Sequence, residues 1–405
     1  MRVVLSTYGS RGDVEPMVAL AIRLREIGAE VRLCAPPDFA GRLAEVGVPM
    51  IPVGPSVRRM LAGGDQSPEE LLDRAAELIA AQFDTVATAA EGCDVLVAAG
   101  QFPAAAAAHS VAEKLGIRYV YASFQQLTLP SPHRPPPYPG WRFPPETGNR
   151  ALWDLDARNI DALFGPALNT HRAAAGLAPL RDIRDHTFTD RPLLATDPVL
   201  DPWQEPADLD VVQTGAWLLP DPRPLPAEVT AFLDAGAPPV YVGFGSMPMA
   251  ASDITRLTVE AIRAQGRRVI VSHGWAEPAP ADESEDCLTI GDVNHQELFD
   301  RVAAVVHHGG AGTTMAAARA GTPQVVIPQL ADQPYWARRV AELRIGAAFG
   351  PGSAPSPESL SAAFEIALAP AARGRATTLA GSLRTGGTAV AAAMLVAQEQ
   401  APNGG

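Results

Sequence analysis

The chain of 405 residues has only three cysteines, Cys34, Cys93 and Cys287. They lie far apart, are odd in number and match no zinc-ligand spacing, so we expect neither a disulfide framework nor a cysteine-based metal centre. We expect all three thiols to be buried and reduced, as is typical of a cytoplasmic protein. The cysteine content therefore argues against a small secreted scaffold.

Positive charge is also scarce. Lysine and arginine together number 32, against 45 aspartate and glutamate residues, and the formal net charge is −13. Because DNA- and RNA-binding proteins neutralise backbone phosphates with clustered basic residues, this composition excludes nucleic acid as an expected partner. It does not exclude one small diphosphate, since backbone N–H groups at a helix N-terminus bind phosphate without a basic surface.

Long hydrophobic runs are missing as well. No apolar run reaches the roughly 18 residues that a membrane-spanning helix needs. The N-terminus begins with the strand-like residues 3–7 and not with a basic segment followed by an apolar run. We therefore expect a soluble, cytoplasmic protein without stable membrane insertion, whose 47% hydrophobic residues suffice for two or three globular cores.

Strand and helix patterns alternate along the chain in two blocks. This alternation predicts an α/β fold with two parallel sheets, each covered by helices. Residues 1–197 form the predicted N-terminal domain, the proline-rich residues 198–226 the linker, and residues 227–405 the C-terminal domain, whose last helix can return to the N-terminal one. A second proline-rich segment, 130–145, is a predicted extended loop, either a binding loop or a surface excursion.

Loops rich in glycine and polar residues follow five of the predicted strands. They are residues 9–13, 243–246, 273–275, 307–313 and 328–333. Open parallel sheets bind ligands outside the carboxyl ends of their strands. The sequence therefore predicts ligand contacts from these five loops.

The loop from His308 to Thr313 is the most informative of the five. Gly309, Gly310 and Gly312 allow a ligand to approach the backbone closely, and a helix is predicted to begin at Thr313 with its N–H groups directed at a phosphate. The loop lacks the lysine of a P-loop and the glycine spacing of dinucleotide-binding folds. The alternative is a tight glycine-rich turn without a ligand.

Longer motifs around these loops resemble the glycosyltransferase family that includes plant and antibiotic enzymes. The donor-binding signature of that family is matched by His308-Gly309-Gly310-Ala311-Gly312-Thr313, Ala320-Gly321-Thr322-Pro323, Pro328 and Asp332-Gln333. The acceptor-side motif of the actinobacterial antibiotic branch is matched by Gly9-Ser10-Arg11-Gly12-Asp13-Val14-Glu15-Pro16. Within that branch the chain resembles the glycosyltransferases of vancomycin-group glycopeptide biosynthesis. The similarity spans nearly the whole chain and is weakest over residues 55–80 and 125–165.

This resemblance implies a GT-B architecture, in which two Rossmann-like domains face each other across a cleft. It also implies that the C-terminal domain binds the nucleotide-sugar donor, that the N-terminal domain binds the acceptor, and that transfer inverts the anomeric carbon. Neither a cofactor nor a metal is expected. No carboxylate pair in metal-ligand spacing lies near the glycine-rich loop, which agrees with the last expectation.

Asp13 is the predicted catalytic base. A hydroxyl is a poor nucleophile until a base removes its proton during attack. Plant relatives place histidine near this point of the first loop, whereas the motif of the antibiotic branch has the aspartate three residues before Pro16. The alternative is that Asp13 is the N-cap of the following helix, a position that aspartate favours.

Other loop residues are predicted to hold the donor phosphates. Ser10, Arg11 and Gly12 would reach the phosphates from the N-terminal domain, although Arg11 can equally be a solvated charge. Gly245 and Ser246 form a second predicted clamp. Preorganised donors of this kind stabilise negative charge as it develops on a leaving group.

Further residues of the C-terminal half are assigned to the rest of the donor. His308 is predicted to bind the donor, whereas the neighbouring His307 belongs to a strand and is expected to be structural. Asp332 and Gln333 can bond hydroxyls of the transferred sugar, the alternative for them being an Asx turn before Pro334. Val293 matches the segment where relatives bind the nucleotide base and ribose.

The base-binding segment departs from the plant pattern at one position. Asp292 stands about where plant relatives place a base-stacking tryptophan, and Trp275 is only a weak substitute. The stacking contact of those relatives is therefore unassigned in this sequence.

Together these features predict an inverting transferase that moves a sugar from a dTDP- or UDP-sugar to a hydroxyl of a natural-product aglycone, with glycopeptide-type antibiotics as the expected context. The partners are thus a nucleotide-sugar donor and a small-molecule acceptor. Three alternatives remain open: a polyketide or macrolide aglycone, a nucleotide-sugar isomerase of the same fold, and a catalytically silent homologue.

Overall fold

A computed structural model describes residues 1–62, 67–137, 146–245, 251–273, 284–329 and 332–397. The chain divides into two compact units, one formed by Met1–Leu219 together with Arg384–Gly405 and the other by Pro220–Leu383. Residues 138–145 of the predicted proline-rich loop lie outside the described residues. Among the described residues, no helix combines the length and apolar character needed to cross a membrane.

The first unit is built on a seven-stranded sheet in which every neighbouring pair is parallel. Its strands are β1 (Arg2–Tyr8), β2 (Glu30–Ala35), β3 (Met50–Pro52), β4 (Val95–Gly100), β5 (Arg118–Ser123), β6 (Leu193–Leu194) and β7 (Val212–Gln213). The strand order β3-β2-β1-β4-β5-β6-β7 reverses direction between β1 and β4. In open α/β sheets such a reversal marks the crevice where ligands bind.

The helices of the first unit follow the predicted alternation. They are α1 (Arg11–Glu26), α2 (Ala40–Glu45), α3 (Val57–Ala62), α4 (Pro68–Ala81), α5 (Ala87–Ala90), α6 (Phe102–Leu115), α7 (Asn149–Ala174) and α8 (Ile183–Phe188). A π-helical turn, Gln82–Val86, joins α4 to α5. A capping box begins α4, as the Ser67-Pro68-Glu69-Glu70 pattern predicts: Ser67 accepts from the backbone N–H of Glu70, while the Glu70 carboxylate accepts from that of Ser67.

The second unit repeats the architecture with a six-stranded parallel sheet in the order β10-β9-β8-β11-β12-β13. The strands are β8 (Val240–Gly243), β9 (Val269–Ser272), β10 (Cys287–Ile290), β11 (Ala304–His307), β12 (Gln324–Val326) and β13 (Gly346–Ala348). The helices are α9 (Ala227–Asp234), α10 (Ala251–Ala264), α11 (His295–Leu298), α12 (Ala311–Arg319), α13 (Gln333–Glu342), α14 (Pro357–Ala367) and α15 (Pro370–Ala380). Here the strand order reverses between β8 and β11.

Both cores follow from the burial of the central strands. All residues of β1 except Arg2 are buried, as is every residue of β8 and β11, because helices cover both faces of each sheet. Continuous apolar runs such as Val240–Gly243 are therefore typical of these strands. The predicted α/β fold with two parallel sheets is confirmed.

The segment between the units differs from a simple linker. The boundary after Leu219 lies within the proline-rich residues 198–226, but β7 adds to the first sheet, and Trp217 and Leu219 are buried in the first core. The last helix, α16 (Gly387–Ala397), also belongs to the first unit, where Ala391 and Leu395 join the same core. Apolar burial thus assigns both segments to the first unit.

Candidate functional site

The predicted site residues fall into two sets, one on each unit. In the second unit, β8, β11 and β12 are parallel neighbours, so the loops after them emerge at the same edge of the sheet. These loops carry Gly245, the segment from His308 to Thr313, and the segment leading to Asp332 and Gln333. Ser246 and Trp275 lie outside the described residues.

The His308 ring lies between two of these loops and fits because glycines surround it. A Cβ atom added to Gly245 would lie 2.9 Å from His308 Cε1, and one added to Gly310 would lie 2.7 Å from His308 Nε2. Gly245 also has φ +68°, which side-chain-bearing residues rarely adopt. The loop sequence therefore brings an imidazole against the backbone of both loops, in a place that any larger residue at 245 or 310 would obstruct.

The environment of His308 keeps its ring neutral. Burial lowers the pKa of His308 to about 4, because the charged imidazolium would be poorly solvated there. Its Nδ1 atom is buried and has no hydrogen-bond partner within the described structure. A neutral ring with an unsatisfied buried nitrogen is the kind of group that a ligand atom can complete.

The neighbouring His307 has a structural role, as its position in a strand suggested. Its side chain is fully buried, its Nδ1 accepts the backbone N–H of Gly309 at 3.0 Å, and its Nε2 bonds Gln324 Oε1 at 2.9 Å. These two bonds fix the neutral tautomer, and burial lowers the pKa of His307 to about 3. His307 thereby fixes the backbone of the loop from His308 to Thr313, here termed the glycine loop.

The helix after this loop begins earlier than predicted. Gly310 is the N-cap and α12 starts at Ala311, two residues before Thr313, so the prediction of a start at Thr313 is wrong. The first intrahelical bond runs from the Thr314 N–H to the Gly310 carbonyl at 2.9 Å. The amides of Ala311, Gly312 and Thr313 consequently belong to the first turn, where N–H groups have no intrahelical acceptor.

The N-terminus of α12 is open at one point. Gly312 is exposed, and a Cβ atom added there would have no neighbouring atom within 4 Å. The helix dipole places about half a positive charge at this end. The first turn of α12 therefore offers directed N–H donors and a positive potential beside the His308 ring.

Asp332 and Gln333 begin helix α13, and both already have partners within the chain. Asp332 is the N-cap, its Oδ2 accepts the indole N–H of Trp336 at 2.8 Å, and burial raises the pKa of its carboxyl group. This side chain therefore bonds the indole and does not form the Asx turn considered as the alternative. The buried Gln333 accepts the backbone N–H of Gln329 through Oε1 at 2.8 Å.

Gly309, in the glycine loop, lies against the start of α13. Its φ is +96°, and a Cβ atom added there would lie 3.0 Å from the backbone oxygen of Gln333. The start of α13 and the His308 loop are therefore in contact. Gln329 also belongs to this group through its bond to Gln333. The sequence placed it in the loop 328–333 that is predicted to contact a ligand, but gave it no role of its own, because no pattern distinguishes it from an ordinary loop glutamine.

Val293 is buried and packs in the core of the second unit together with Leu225 and Leu298. The following Asn294 caps α11 and donates to the backbone oxygens of Asp221 and Arg223 at 2.8 Å each. Asp292 forms an ion pair with Arg223 at 3.0 Å. Since the Val293 side chain is buried, only its backbone is suited to contact a nucleotide.

In the first unit, Asp13 occupies the third position of helix α1. Ser10 is the N-cap, so the alternative that Asp13 is the N-cap is wrong. The backbone N–H of Ser10 donates to Asp13 Oδ2 at 2.8 Å, and the Ser10 hydroxyl donates to the same oxygen at 3.3 Å. This capping box explains why α1 begins at Arg11.

The Asp13 carboxylate is held in a confined position. A Cβ atom added to Gly9 would lie 2.2 Å from Asp13 Oδ2, and the Thr7 hydroxyl donates to the Asp13 backbone oxygen at 3.0 Å. The charge of Asp13 also helps to raise the pKa of the buried Tyr121, although burial is the larger cause. Tyr121 was missed by sequence reasoning because nothing in a β-strand pattern shows what its side chain faces.

The neighbours of Asp13 differ in their exposure and in their partners. Ser10 and Gly12 are exposed. Arg11 pairs with Glu15 on the next helical turn at 2.8 Å. Within the described parts of the chain, no group of three or more histidine, cysteine, aspartate or glutamate side chains is arranged to hold a metal ion.

Comparison with known proteins identifies the family. Residues 3–130 match the glycosyltransferase family 28 N-terminal domain, and residues 264–386 match the erythromycin biosynthesis protein CIII-like C-terminal domain. The chain is 54% identical over 398 residues to the vancomycin aglycone glucosyltransferase of Amycolatopsis orientalis, covering 98% of this chain and 97% of that protein. It is 50% identical over 388 residues to the dTDP-epi-vancosaminyltransferase of the same organism, covering 94% and 93%.

The fold has a matching solved structure. The glycosyltransferase VinC in complex with dTDP has a TM-score of 0.67 and 21% identity, with coverage of 98% of this chain and all of that one (100%). Such neighbours have the GT-B fold, and the two parallel sheets of this chain agree with the GT-B architecture that the family resemblance implied. The chain is therefore a member of the GT-B glycosyltransferases, in the group that contains the glycopeptide glycosyltransferases of Amycolatopsis.

Proposed function

We propose that this glycosyltransferase moves a hexose from a dTDP- or UDP-sugar to a hydroxyl group of a glycopeptide-type aglycone, with inversion of the anomeric carbon. We assign donor binding to the second unit and acceptor binding to the first. The observation that carries the assignment of the donor is the open first turn of α12, which lies beside the neutral His308 ring and its unsatisfied Nδ1.

The diphosphate fits this turn on electrostatic grounds. The N–H groups of Ala311, Gly312 and Thr313 and the positive helix end favour a negatively charged group. A neutral His308 adds one ring N–H without the cost of burying a charge. As the sugar–phosphate bond breaks, these preorganised donors stabilise the charge on the leaving diphosphate, and removal of one such donor is expected to cost about 3 kcal/mol of barrier.

In this proposal the flanking loops bind the sugar and the nucleotide base. Asp332 accepts a hydrogen bond from a sugar hydroxyl through the carboxylate oxygen that does not bond the Trp336 indole. Gln333 positions the loop, because its Oε1 holds the Gln329 backbone. The backbone of Val293 contacts the nucleoside, while Gly245 and the adjacent Ser246 contact the diphosphate.

Asp13 is the general base in this proposal. The acceptor oxygen attacks the anomeric carbon from the face opposite the diphosphate, a C–O bond forms, and the bond from that carbon to the phosphate oxygen breaks with its electron pair leaving on the diphosphate. The proton of the acceptor hydroxyl passes to the Asp13 carboxylate. One displacement of this kind inverts the configuration.

The supporting residues of the first loop differ in the roles we assign to them. The exposed Ser10 and Gly12 remain candidates for phosphate contact, although Ser10 also holds Asp13. The pairing of Arg11 with Glu15 supports a helix-surface role at least as well as a phosphate contact. We propose that neither metal nor cofactor takes part, because the α12 amides and dipole neutralise the leaving group.

Relatives that match over nearly their whole length support a glycopeptide acceptor, since one is named a vancomycin aglycone glucosyltransferase and another a dTDP-epi-vancosaminyltransferase. The test is to incubate the protein with dTDP-glucose or UDP-glucose and vancomycin aglycone. Product mass shows transfer, and the anomeric coupling constant distinguishes inversion from retention. A parallel panel of macrolide aglycones tests the second acceptor class, and conversion of the donor alone into another sugar nucleotide would refute transferase activity in favour of isomerisation.

A further inference from the structure

Few buried side-chain nitrogens in the described part of the second unit lack a hydrogen-bond partner, and two of these lie at one edge of its sheet. Within the described residues of this unit, three buried side-chain nitrogens have no hydrogen-bond partner: Arg268 Nε, His308 Nδ1 and Gln329 Nε2. The Arg268 guanidinium uses its other nitrogens to bond the backbone oxygens of Phe232 and Ala237. His308 and Gln329 instead follow the adjacent strands β11 and β12.

The backbone around Gln329 fixes its place beside the donor loops. The Ile327 N–H bonds the His307 carbonyl at 2.9 Å, which continues the pairing of β12 with β11 to the edge of the sheet. Gln329 comes two residues later, and its N–H donates to Gln333 Oε1 at 2.8 Å. Gln333 in turn contacts Gly309. The Gln329 side chain therefore begins between the glycine loop and the start of α13.

We propose that the Gln329 amide donates a hydrogen bond to a hydroxyl oxygen of the transferred sugar and so selects donors that carry this hydroxyl. The proposal rests on the donor-binding function assigned to the second unit. A buried N–H without an acceptor is destabilising, and a ligand oxygen removes that cost. Gln329 as a residue is only half-buried, so rotation about its side-chain bonds can present the amide to a ligand.

The chemistry of the neighbouring groups favours a hydroxyl over a phosphate oxygen. A hydroxyl is both donor and acceptor, so it is best matched by one acceptor and one donor from the protein. Asp332 supplies a carboxylate whose Oδ2 is oriented by Trp336, and Gln329 supplies a neutral amide N–H. A site that bonds a substrate hydroxyl disfavours analogues that lack it, because the protein groups are then left unpaired.

The test measures donor binding and needs no acceptor. Dissociation constants are determined by calorimetry for dTDP-glucose and for analogues that each lack one sugar hydroxyl, with the full-length wild type, Gln329→Met and Gln265→Met. Methionine keeps the length of the side chain and removes the amide. Gln265 is a matched control, since its Nε2 already bonds Ser361 at 3.0 Å elsewhere in the same unit.

We expect Gln329→Met to weaken dTDP-glucose binding about tenfold, the effect of one lost hydrogen bond. One deoxy analogue should bind the wild type about tenfold more weakly and bind Gln329→Met no more weakly than dTDP-glucose does, since both halves of the same bond would be missing. The control should bind every ligand as the wild type does. Equal weakening of all donors by Gln329→Met, or no weakening, would overturn the inference, whereas a wild type that binds no nucleotide sugar would instead overturn the proposed function.

Discussion

Replacement of Asp13 by asparagine tests the assigned base with little disturbance of the fold. Asparagine keeps a side-chain oxygen that can accept the Ser10 N–H, now 2.8 Å from Asp13 Oδ2, so α1 should still begin at Arg11. The stability cost should be that of one missing charge at a helix N-terminus, about 0.3–1 kcal/mol. General-base catalysis contributes about 10²–10⁴-fold, so turnover should fall by that factor, equivalent to about 2.7–5.4 kcal/mol of barrier.

The assay compares three quantities: turnover with dTDP-glucose and vancomycin aglycone, the dissociation constant of the donor, and the melting temperature. Glu70→Gln is a matched control, because Glu70 holds the same position in the capping box of α4 and accepts the Ser67 N–H at 2.9 Å. Both variants should lose similar stability and bind the donor normally, while only Asp13→Asn loses turnover. Turnover of Asp13→Asn within a few-fold of the wild type would refute the assignment of the base.

Four further predictions concern the second unit and the leaving group. Gly310→Ala should displace the His308 ring, since the new Cβ would lie 2.7 Å from Nε2. Calorimetry should then show donor binding weakened about tenfold or more, and an unchanged affinity would argue against a role of His308 in donor binding. Gly374→Ala, at an exposed position inside α15, should instead stabilise the protein by about 0.5–1 kcal/mol in urea unfolding and leave binding unchanged. His307 is neutral when folded, with a pKa of about 3, and should gain a proton on unfolding below its ordinary pKa of about 6.5, so its stability contribution is complete above pH 6.5 and declines as the pH falls towards 3. In His307→Asn the free energy of unfolding should therefore fall less steeply as the pH is lowered from about 6.5. An unchanged pH dependence would contradict the buried neutral state of His307. Turnover should be the same with and without EDTA, and a loss that Mg²⁺ restores would refute metal-independent transfer.

The sequence was most informative where function depends on the local chain. The loop motifs after β1 and β11 identified the family, because glycines that admit a ligand and residues that begin a helix must lie close together along the chain. The capping box of α4 was predictable for the same reason, since Ser67 and Glu70 bond each other's backbone across three residues. Alternating strand and helix patterns likewise predicted both parallel sheets.

Errors occurred where two local signals competed. The sequence allowed Asp13 to be read as base or N-cap, and the structure places Ser10 at the cap and Asp13 within the first turn. The start of α12 was predicted at Thr313, because two glycines flank Ala311 and glycine disfavours helix interiors. The structure instead uses Gly310 as the N-cap, a position that glycine tolerates, and places Gly312 in the first turn, outside the helix interior.

What the sequence determined by itself was therefore the strand and helix order, the loops that carry ligand-binding residues, and the family. Tertiary structure alone decided that the His308 ring lies between Gly245 and Gly310 and that the side-chain nitrogen of Gln329, after the neighbouring strand, has no partner; it also decided in favour of the first core for α16, which the sequence had left open. These features join residues tens to hundreds of positions apart. Burial, hydrogen-bond satisfaction and steric fit between distant segments are settled only when the sheets assemble, so no local pattern encodes them.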